Sequence, residues 1–361
     1  MAELLKDVYN KDFLIELGSN IEFVYPNFNV ETFIGEVMDS TWEELKLKER
    51  MRRISLKLGV FLPEYKEAIE ILLEVNKVSE GFAYLVLPDF VECFGLNYFE
   101  ISMSALKEFT KHSSAEFAVR PFIIKYPDKA MEYMREWALD ENEHVRRLSS
   151  EGIRPRLPWG IGLVRFKKDP RPVLGVLEQL KEDNSLYVRK SVANNLNDIS
   201  KDNPDMVIEI AKKWIGKNQS TDWIIRHGLR SLIKKANKEA LELFGYSDKQ
   251  EYFIKEASIN TKEPVVNIGE DCLLSYSLRI ETRESIHIRI EYAIDFVKSG
   301  NRNSRKIFLF TDKTLIGEQT LTGIKLHSFK DMTTRKHYIG NHKIVLLVNG
   351  KEIVERSIIL Q

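Results

Sequence analysis

One sequence pattern occurs twice in the middle of the chain, as Asp140-Glu-Asn-Glu-His-Val-Arg-Arg-Leu-Ser-Ser-Glu151 and as Glu182-Asp-Asn-Ser-Leu-Tyr-Val-Arg-Lys-Ser-Val-Ala193. Its Val-Arg pair ends at Arg146 and again at Arg189, 43 positions later, and a third copy, Asp222-Trp-Ile-Ile-Arg226-His, follows after a further 37. A period of roughly 40 to 47 residues is typical of HEAT-like helical pairs. In such pairs Asp or Asn caps the second helix, and Val packs on the neighbouring pair. The pattern therefore predicts stacked helical repeats whose second helices line a concave surface.

The rest of the chain falls into two parts of different character. Up to about residue 245, apolar residues recur at three- and four-residue spacing and glycine is sparse, which predicts helices. Beyond about residue 250, turn signals separate short runs rich in β-branched and aromatic residues, which predict five to seven strands. These runs are Val265–Ile268, Cys272–Leu278, Ile286–Tyr292, Lys306–Phe310 and Lys343–Val348, with turns at Ser299-Gly300-Asn301 and Asn349-Gly350. We predict an all-α HEAT-like repeat solenoid over residues 1–246, followed by a small all-β immunoglobulin-like sandwich domain over residues 247–361.

Composition narrows the class of protein. Hydrophobic residues make up 43% and charged residues 30% of the 361 residues, which is typical of a soluble globular protein. The 54 Lys and Arg balance the 54 Asp and Glu, which excludes a simple polybasic nucleic-acid binder but leaves a local basic stripe possible. Two distant cysteines, Cys93 and Cys272, argue against a disulfide framework and a cysteine-based zinc site. We expect a cytoplasmic protein, because neither a long apolar span nor a secretory signal is evident. We also expect it to be a monomer.

Common enzyme signatures are missing from the sequence. Gly160-Ile-Gly162 fails the dinucleotide-binding fingerprint, and no P-loop, HExxH or GxSxG motif occurs. The seven histidines are scattered, which disfavours a histidine-rich metal site. The sequence therefore implies neither a metal nor an organic cofactor.

A basic segment stands out within this neutral chain, from Arg146 to Lys168. It contains seven Lys or Arg residues and one acid, Glu151. Within it, Arg154-Pro-Arg156-Leu-Pro-Trp159 cannot be a helix interior, because its prolines lack the N–H donor that a helix needs. Arginines beside an exposed aromatic ring suit the phosphates and bases of nucleic acid. The alternative is a solvated basic face with a tryptophan packed into the repeat.

Three acids are expected to approach this basic surface. Glu151 lies one helical turn beyond Arg147, and in repeat register it corresponds to Asn194, one turn before Asp198. Glu116 lies in Ser114–Arg120, which we predict to be a helix of the preceding repeat. Two interpretations are open: the acids pair with the nearby arginines, or they face a positively charged group. A carboxylate stabilises the oxocarbenium-like sugar that forms when an N-glycosidic bond breaks.

The motifs around these residues resemble a known family. Ala115-Glu-Phe-Ala-Val-Arg-Pro-Phe, His144-Val-Arg-Arg-Leu-Ser-Ser-Glu-Gly-Ile-Arg-Pro-Arg-Leu-Pro-Trp, Tyr187-Val-Arg-Lys-Ser-Val-Ala-Asn-Asn-Leu-Asn-Asp-Ile and Trp223-Ile-Ile-Arg-His-Gly-Leu-Arg are similar to the AlkC branch of the bacterial DNA alkylation repair glycosylases. The resemblance covers nearly the whole chain, including an immunoglobulin-like C-terminal domain found in one subgroup. It implies base excision repair, with removal of cationic bases such as N3-methyladenine and N3-methylcytosine from duplex DNA without base flipping.

The resemblance also implies roles for individual residues. Glu116, Glu151 and Asp198 would form the acidic cluster at the lesion. The residues expected to bind DNA in the helical part are Arg147, Arg154, Arg156, Trp159 and Arg189. The alternative function is a non-catalytic HEAT-repeat protein that binds damaged DNA or acts as a scaffold.

The β-rich part carries a second concentration of positive charge. Between Val297 and Arg356 there are 12 Lys or Arg residues and five acids. A turn rich in cations can grip DNA phosphates, which predicts a backbone contact. The residues expected to make it are Lys298, Arg302, Arg305, Lys306 and Arg335. The alternative is a basic module that is only solvated.

Overall fold

The computed structural model describes residues 5–246, 252–299, 302–332 and 336–361. The chain forms two compact units, residues 1–228 and 229–361. The last described helix ends at Leu243, and the first described strand begins at Tyr252. The compact second unit also includes the last two short helices, because Gly350 and Asp312 of the strand region contact Ala236, Leu241 and Tyr246 of the helical end.

The described part of the chain contains sixteen α-helices. Their bounds are α1 Lys11–Val24, α2 Val30–Val37, α3 Leu47–Phe61, α4 Tyr65–Asn76, α5 Val86–Phe94, α6 Phe99–Phe109, α7 Arg120–Lys125, α8 Pro127–Trp137, α9 Glu143–Glu151, α10 Val164–Lys168, α11 Arg171–Leu180, α12 Leu186–Ile199, α13 Pro204–Trp214, α14 Gln219–Gly228, α15 Arg230–Lys234 and α16 Lys238–Leu243. Three short 3₁₀ helices cover Leu5–Val8, Trp42–Glu44 and Phe82–Leu85. No helix among the described residues has the length and apolar character needed to span a membrane.

The predicted repeat is confirmed at atomic detail by two arginines in equivalent positions. Arg146 Nη1 donates hydrogen bonds to the carbonyls of Asp140 and Glu141, at 2.9 and 2.8 Å. Arg189 Nη1 donates to the carbonyls of Asp183 and Asn184, at 2.7 and 2.8 Å. Each arginine therefore closes the loop that precedes its own helix, and the contact recurs in the two copies of the pattern.

The helix caps follow the repeat with one change. Asn142 accepts a hydrogen bond from the His144 amide and caps α9, as expected. In the next copy the cap of α12 is Ser185, whose hydroxyl accepts from the Tyr187 amide at 3.2 Å, and not the Asp or Asn before it.

The prediction of a helix around Glu116 was wrong. Residues 114–115 are irregular, residues 116–119 form a turn, and α7 begins only at Arg120 with Pro121 in its first turn. Proline is favoured at that position because its missing N–H would have no partner there. The turn leaves the Glu116 carboxylate free to accept a hydrogen bond from Ser114 Oγ at 2.5 Å.

Six strands form the β-rich part of the described chain: β1 Tyr252–Thr261, β2 Val265–Val266, β3 Asp271–Lys298, β4 Arg302–Ser328, β5 Gly340–Val348 and β6 Lys351–Leu360. The strands run in the order β1-β3-β5-β6-β2, and β4 pairs along β3. The predicted separate strands at Cys272–Leu278 and Ile286–Tyr292 are one continuous strand, β3. The pairing of β3 with β4 shifts register between Thr282 and Ile286, and such irregularities bend a strand.

The two ends of β3 pair with different strands but contribute to one core. The first end pairs with β1 and the second end with β5. Buried side chains from both ends, including Leu278, Ile290, Leu346 and Ile358, form a single hydrophobic cluster. Asn349 and Gly350 join β5 to β6 with positive φ angles of 48° and 79°, as a tight hairpin requires.

His342 of β5 provides a pH-dependent contribution to stability. It is fully buried, its Nε2 donates to the Tyr338 carbonyl at 2.9 Å, and its Nδ1 accepts from the Val297 amide at 3.4 Å. Burial, together with the charge of Lys298, lowers the pKa of His342 below its ordinary value of 6.5. The folded form therefore favours the neutral ring.

We expect the second unit to lose stability as the pH falls below 6.5, the ordinary pKa of histidine. The unfolded chain then takes up a proton that the folded chain resists, so the stabilising contribution is present above this pH and lost below it. Hydrogen exchange of β5 peptides in the full-length protein, measured from pH 7.5 to 5, tests this. His342→Gln, which has no titratable group, should flatten the dependence; an unchanged slope would assign it to other groups.

Candidate active site

The three predicted acids lie on one alternating chain of carboxylates and arginines in the first unit. Arg147 Nη1 lies 2.6 Å from Glu116 Oε2, and its Nη2 lies 3.7 Å from Glu151 Oε1. Arg154 Nη1 lies 2.6 Å from the same Glu151 oxygen, and its Nε lies 2.8 Å from Asp198 Oδ2. Acids from α9, α12 and the turn before α7 therefore gather at one place. We call Glu116, Glu151 and Asp198 the carboxylate cluster.

The members of the carboxylate cluster differ in their access to solvent. The side chain of Glu116 is 15% exposed, that of Glu151 7% and that of Asp198 2%. Asp198 lies behind Arg154 and also pairs with Lys201 Nζ at 3.0 Å. The carboxylates pair with arginines, as the first interpretation expects, and Glu116 and Glu151 also line a cavity.

This cavity has a volume of about 500 Å³. Its walls combine charged groups with the aromatic rings of Phe82, Phe117, Trp159 and Tyr187. Three carboxylates line it against two guanidinium groups, those of Arg147 and Arg154. The three acids are Glu80, Glu116 and Glu151.

The electrostatics of the two arginines follow from these neighbours. Burial disfavours the charged form of Arg147, but Glu116 and Glu151 more than compensate and raise its pKa above the ordinary value. The same holds for Arg154, whose pKa is raised by Glu151 and Asp198 against the effect of burial. Both guanidinium groups are therefore held firmly as cations.

Hydroxyl groups fix the orientation of two of the carboxylates. Ser191 Oγ donates to Glu151 Oε2 at 2.6 Å, so that both oxygens of Glu151 have partners. Arg147 also donates to Ser114 Oγ at 3.2 Å, and its guanidinium lies 4.7 Å from the centroid of the Tyr187 ring.

Among the described residues, no group of three or more His, Cys, Asp or Glu is arranged to hold a metal ion.

Two family models and two full-length relatives match the chain. Residues 104–237 match the model described as DNA alkylation repair enzyme, and residues 255–361 match the C-terminal Ig-like domain of the uncharacterised protein YhaZ. YhaZ of Bacillus subtilis (strain 168) is 44% identical over 352 residues, which is 97% of both chains. The chain belongs to the DNA alkylation repair enzymes, in the AlkC and YhaZ subgroup.

A solved structure agrees with this placement in the AlkC and YhaZ subgroup. The alkylpurine DNA glycosylase AlkC of Pseudomonas fluorescens, bound to DNA containing an abasic site analog, superposes with a TM-score of 0.94. It is 38% identical in sequence, and the match covers 99% of this chain and 100% of that one. The all-α repeat followed by an immunoglobulin-like domain is thus confirmed as the fold of this member of the subgroup.

Several predicted DNA-binding residues of this AlkC-like chain have partners within the protein. Arg156 forms a two-point ion pair with Asp202, at 2.9 and 2.6 Å. Arg189 uses two hydrogen bonds to close the loop before α12. Trp159, in contrast, is 67% exposed on the rim of the cavity.

Some of the residues that we predicted to bind DNA in the immunoglobulin-like domain also have partners within the protein. Arg305 pairs with Asp295 and Glu352. Lys298 donates to the Lys336 carbonyl at 3.3 Å. Lys306 is exposed on β4. Arg335 and the side chain of Arg302 lie outside the described residues.

Sequence reasoning missed three residues at this site. Glu80 lines the cavity and makes no ion pair with any residue that the structure describes. Arg120 and Lys48 bind carbonyl groups of the segment that carries Trp159. Arg120 left one sequence signal, a lone charge in the apolar stretch Phe117–Phe122, whereas Lys48 left none because it lies 111 residues from its partner.

Proposed function

We propose that this chain hydrolyses the N-glycosidic bond of cationic alkylated bases, N3-methyladenine and N3-methylcytosine, in duplex DNA without base flipping. The broader activity follows from its family: the chain is a DNA glycosylase of alkylation repair. The lesion specificity, the residue roles and the absence of flipping are the content of the proposal.

The charge of the cavity is the observation that supports the proposal most directly. Three carboxylates and two guanidinium groups leave the lining with an excess of negative charge. A DNA-binding surface gains nothing from such an excess, because phosphates are repelled by it. A positively charged base or sugar, in contrast, is stabilised there, and aromatic walls can stack against the flat ring of a cationic base.

The chemistry needs little from the enzyme beyond this electrostatic environment. An N3-alkylated base is already a cation, so it departs with the electron pair of the C1′–N bond as a neutral molecule. The sugar is left as an oxocarbenium ion, to which the oxygen of a water molecule adds while one proton leaves. Carboxylates stabilise the developing sugar charge and orient the water. We assign these tasks to the carboxylate cluster.

The direct test is release of free bases from methylated genomic DNA, measured by mass spectrometry. We expect N3-methyladenine in the supernatant with the wild-type protein, and far less with Glu151→Gln at equal DNA binding. Binding of the damaged duplex without release of any base would favour the alternative, a non-catalytic damage-binding protein.

A separate measurement addresses base flipping. We expect the fluorescence of 2-aminopurine placed next to the lesion to stay low when the protein binds, because the damaged nucleotide remains in the duplex. A cationic base leaves faster than a neutral one, so the enzyme can select it without extruding it into a fitted pocket. A large rise on binding, as a flipping glycosylase gives on the same duplex, would contradict this part of the proposal.

The immunoglobulin-like domain is proposed to contact the DNA backbone through its basic surface. Lys298→Ala combined with Lys306→Ala is expected to weaken duplex binding and to reduce the slope of log K against log salt by about 2, since each lost phosphate contact removes about 0.9. The control is Lys255→Ala with Lys343→Ala, two lysines that pair with Glu281 and Glu355. Equal slopes in both double variants would refute a specific contact by Lys298 and Lys306.

A further inference from the structure

The segment that carries Trp159 has an unusual backbone. Residues Gly152–Gly162, here called the Trp159 loop, connect α9 to α10. Trp159 has a φ angle of 63°, in the left-handed region that bulky residues rarely adopt. Such a conformation persists only when its surroundings hold it in place, and it is often found at functional sites.

Arg120 donates three hydrogen bonds to backbone carbonyls of the Trp159 loop. Its Nε donates to the Ile161 carbonyl at 2.6 Å, its Nη1 to the Gly152 carbonyl at 2.8 Å and its Nη2 to the Arg154 carbonyl at 2.9 Å. The residue is wholly buried, and burial together with the charge of Arg154 lowers its pKa to about 10. It still remains a cation at neutral pH.

Gly160 packs between Leu157 and this guanidinium. A Cβ atom at Gly160 would lie 3.0 Å from Leu157 Cδ2 and 3.4 Å from Arg120 Cδ and Nε. The Leu157 distance is tight for a side chain, whereas the Arg120 distances are where ordinary van der Waals contact begins. A larger residue after Trp159 would therefore displace Leu157 first.

Lys48 holds the loop at its tip. This residue, near the start of α3, donates from Nζ to the Trp159 carbonyl at 2.8 Å. The same ammonium lies 4.2 Å from the centroid of the Phe117 ring, which lines the cavity. Its position is therefore defined by a carbonyl on one side and an aromatic face on the other.

We propose that Lys48 and Arg120 are positioning residues that fix the exposed indole of Trp159 at the rim of the cavity, ready to pack against a nucleobase of the bound duplex. The inference rests on the proposed function for the identity of the ligand, but the positioning itself is a property of the free protein. Through Lys48, helix α3 near the N-terminus would contribute to binding at the lesion.

The test uses Lys48→Met, which keeps the aliphatic stem of an exposed residue and removes its donor. We expect single-turnover release of N3-methyladenine to fall about 10- to 100-fold, as displacement of a contacting group does. Lys48→Arg, which keeps a donor, should recover part of the rate. Arg120→Lys should also slow release, but Lys48 carries the test if that variant fails to fold.

Two comparisons separate positioning from a general structural effect. Lys57→Met is the matched control, because Lys57 is also on α3 and pairs with Glu36 on the surface; it should leave the rate unchanged. The double variant Lys48→Met with Trp159→Ala should be no slower than Trp159→Ala alone, since both changes remove one function.

A spectroscopic readout tests the positioning without any substrate. Fluorine NMR of protein labelled with fluorotryptophan reports the mobility of Trp159, whose signal is assigned with Trp159→Phe. We expect a narrower Trp159 line in Lys48→Met, from a more mobile indole, and no change in Lys57→Met. An unchanged line together with a wild-type rate overturns the proposal. If wild-type protein releases no base, the proposed function fails, and the fluorine line alone decides the positioning.

Discussion

Asp198→Asn is expected to slow the release of N3-methyladenine by about 100-fold, the scale of a lost electrostatic stabiliser. The Asp198 carboxyl group lies at a nearly buried position, 2.8 Å from Arg154 Nε. Asparagine is almost the same size and still accepts a hydrogen bond there. The substitution therefore removes charge and leaves the packing in place. Glu151→Gln should have an effect of similar size.

Single-turnover kinetics with saturating protein measures this effect apart from DNA affinity. The matched control is Asp202→Asn, which also removes a carboxylate paired with an arginine of the Trp159 loop, at the exposed Arg156. We expect the control to release base at close to the wild-type rate. Wild-type rates for both Asp198→Asn and Glu151→Gln, with DNA binding intact, would remove the carboxylate cluster from the mechanism.

Arg154→Met is expected to destabilise the protein by about 3–5 kcal/mol, because it strands two buried carboxylates without their shared partner. The side chains of Arg154, Glu151 and Asp198 are 9%, 7% and 2% exposed. Methionine replaces the stem of the arginine but none of its donors. Lys201 and Arg147 remain near the acids and supply only part of the lost compensation.

Denaturant unfolding of the full-length protein measures this change in the free energy of unfolding. The double variant Arg154→Met with Asp198→Asn should be more stable than the sum of the two single changes, since one of the stranded charges is then absent. Arg165→Met is the control: Arg165 pairs with Asp128 at the surface, with side chains 53% and 86% exposed, and its loss should matter little. Additive single effects would show that Arg154 does not compensate Asp198.

The helical repeat could be predicted because its causes are local and recur along the chain. Val145 and Val188 are fully buried, and Arg146 and Arg189 make the same two bonds to the loop before their helices. Because these residues make the same contacts in each repeat, the repeat can be recognised from a single sequence. Glu116 was misplaced on a helix because a short Ser-Ser-Ala-Glu stretch does not reveal that the helix starts only at Arg120.

The convergence of the acids could be expected from repeat register, but their detailed environment could not. Register places Glu151 and Asp198 on neighbouring helices, whereas the insertion of Arg154 between them depends on the path of a loop. Lys48 reaches Trp159 across 111 residues, and no local pattern encodes such a contact. In the second unit, the polar residues between Thr282 and Ile286 suggest a turn, although the strand continues there through an irregularity.

The excess negative charge of the cavity has a consequence for the end of the reaction. In the proposed reaction the base enters as a cation and leaves as a neutral molecule, so the attraction that retains it is lost in the step that breaks the bond. Inhibition by the liberated base should therefore be weak. The abasic strand, whose phosphates are unchanged, would remain as the product that dissociates slowly and sets the turnover.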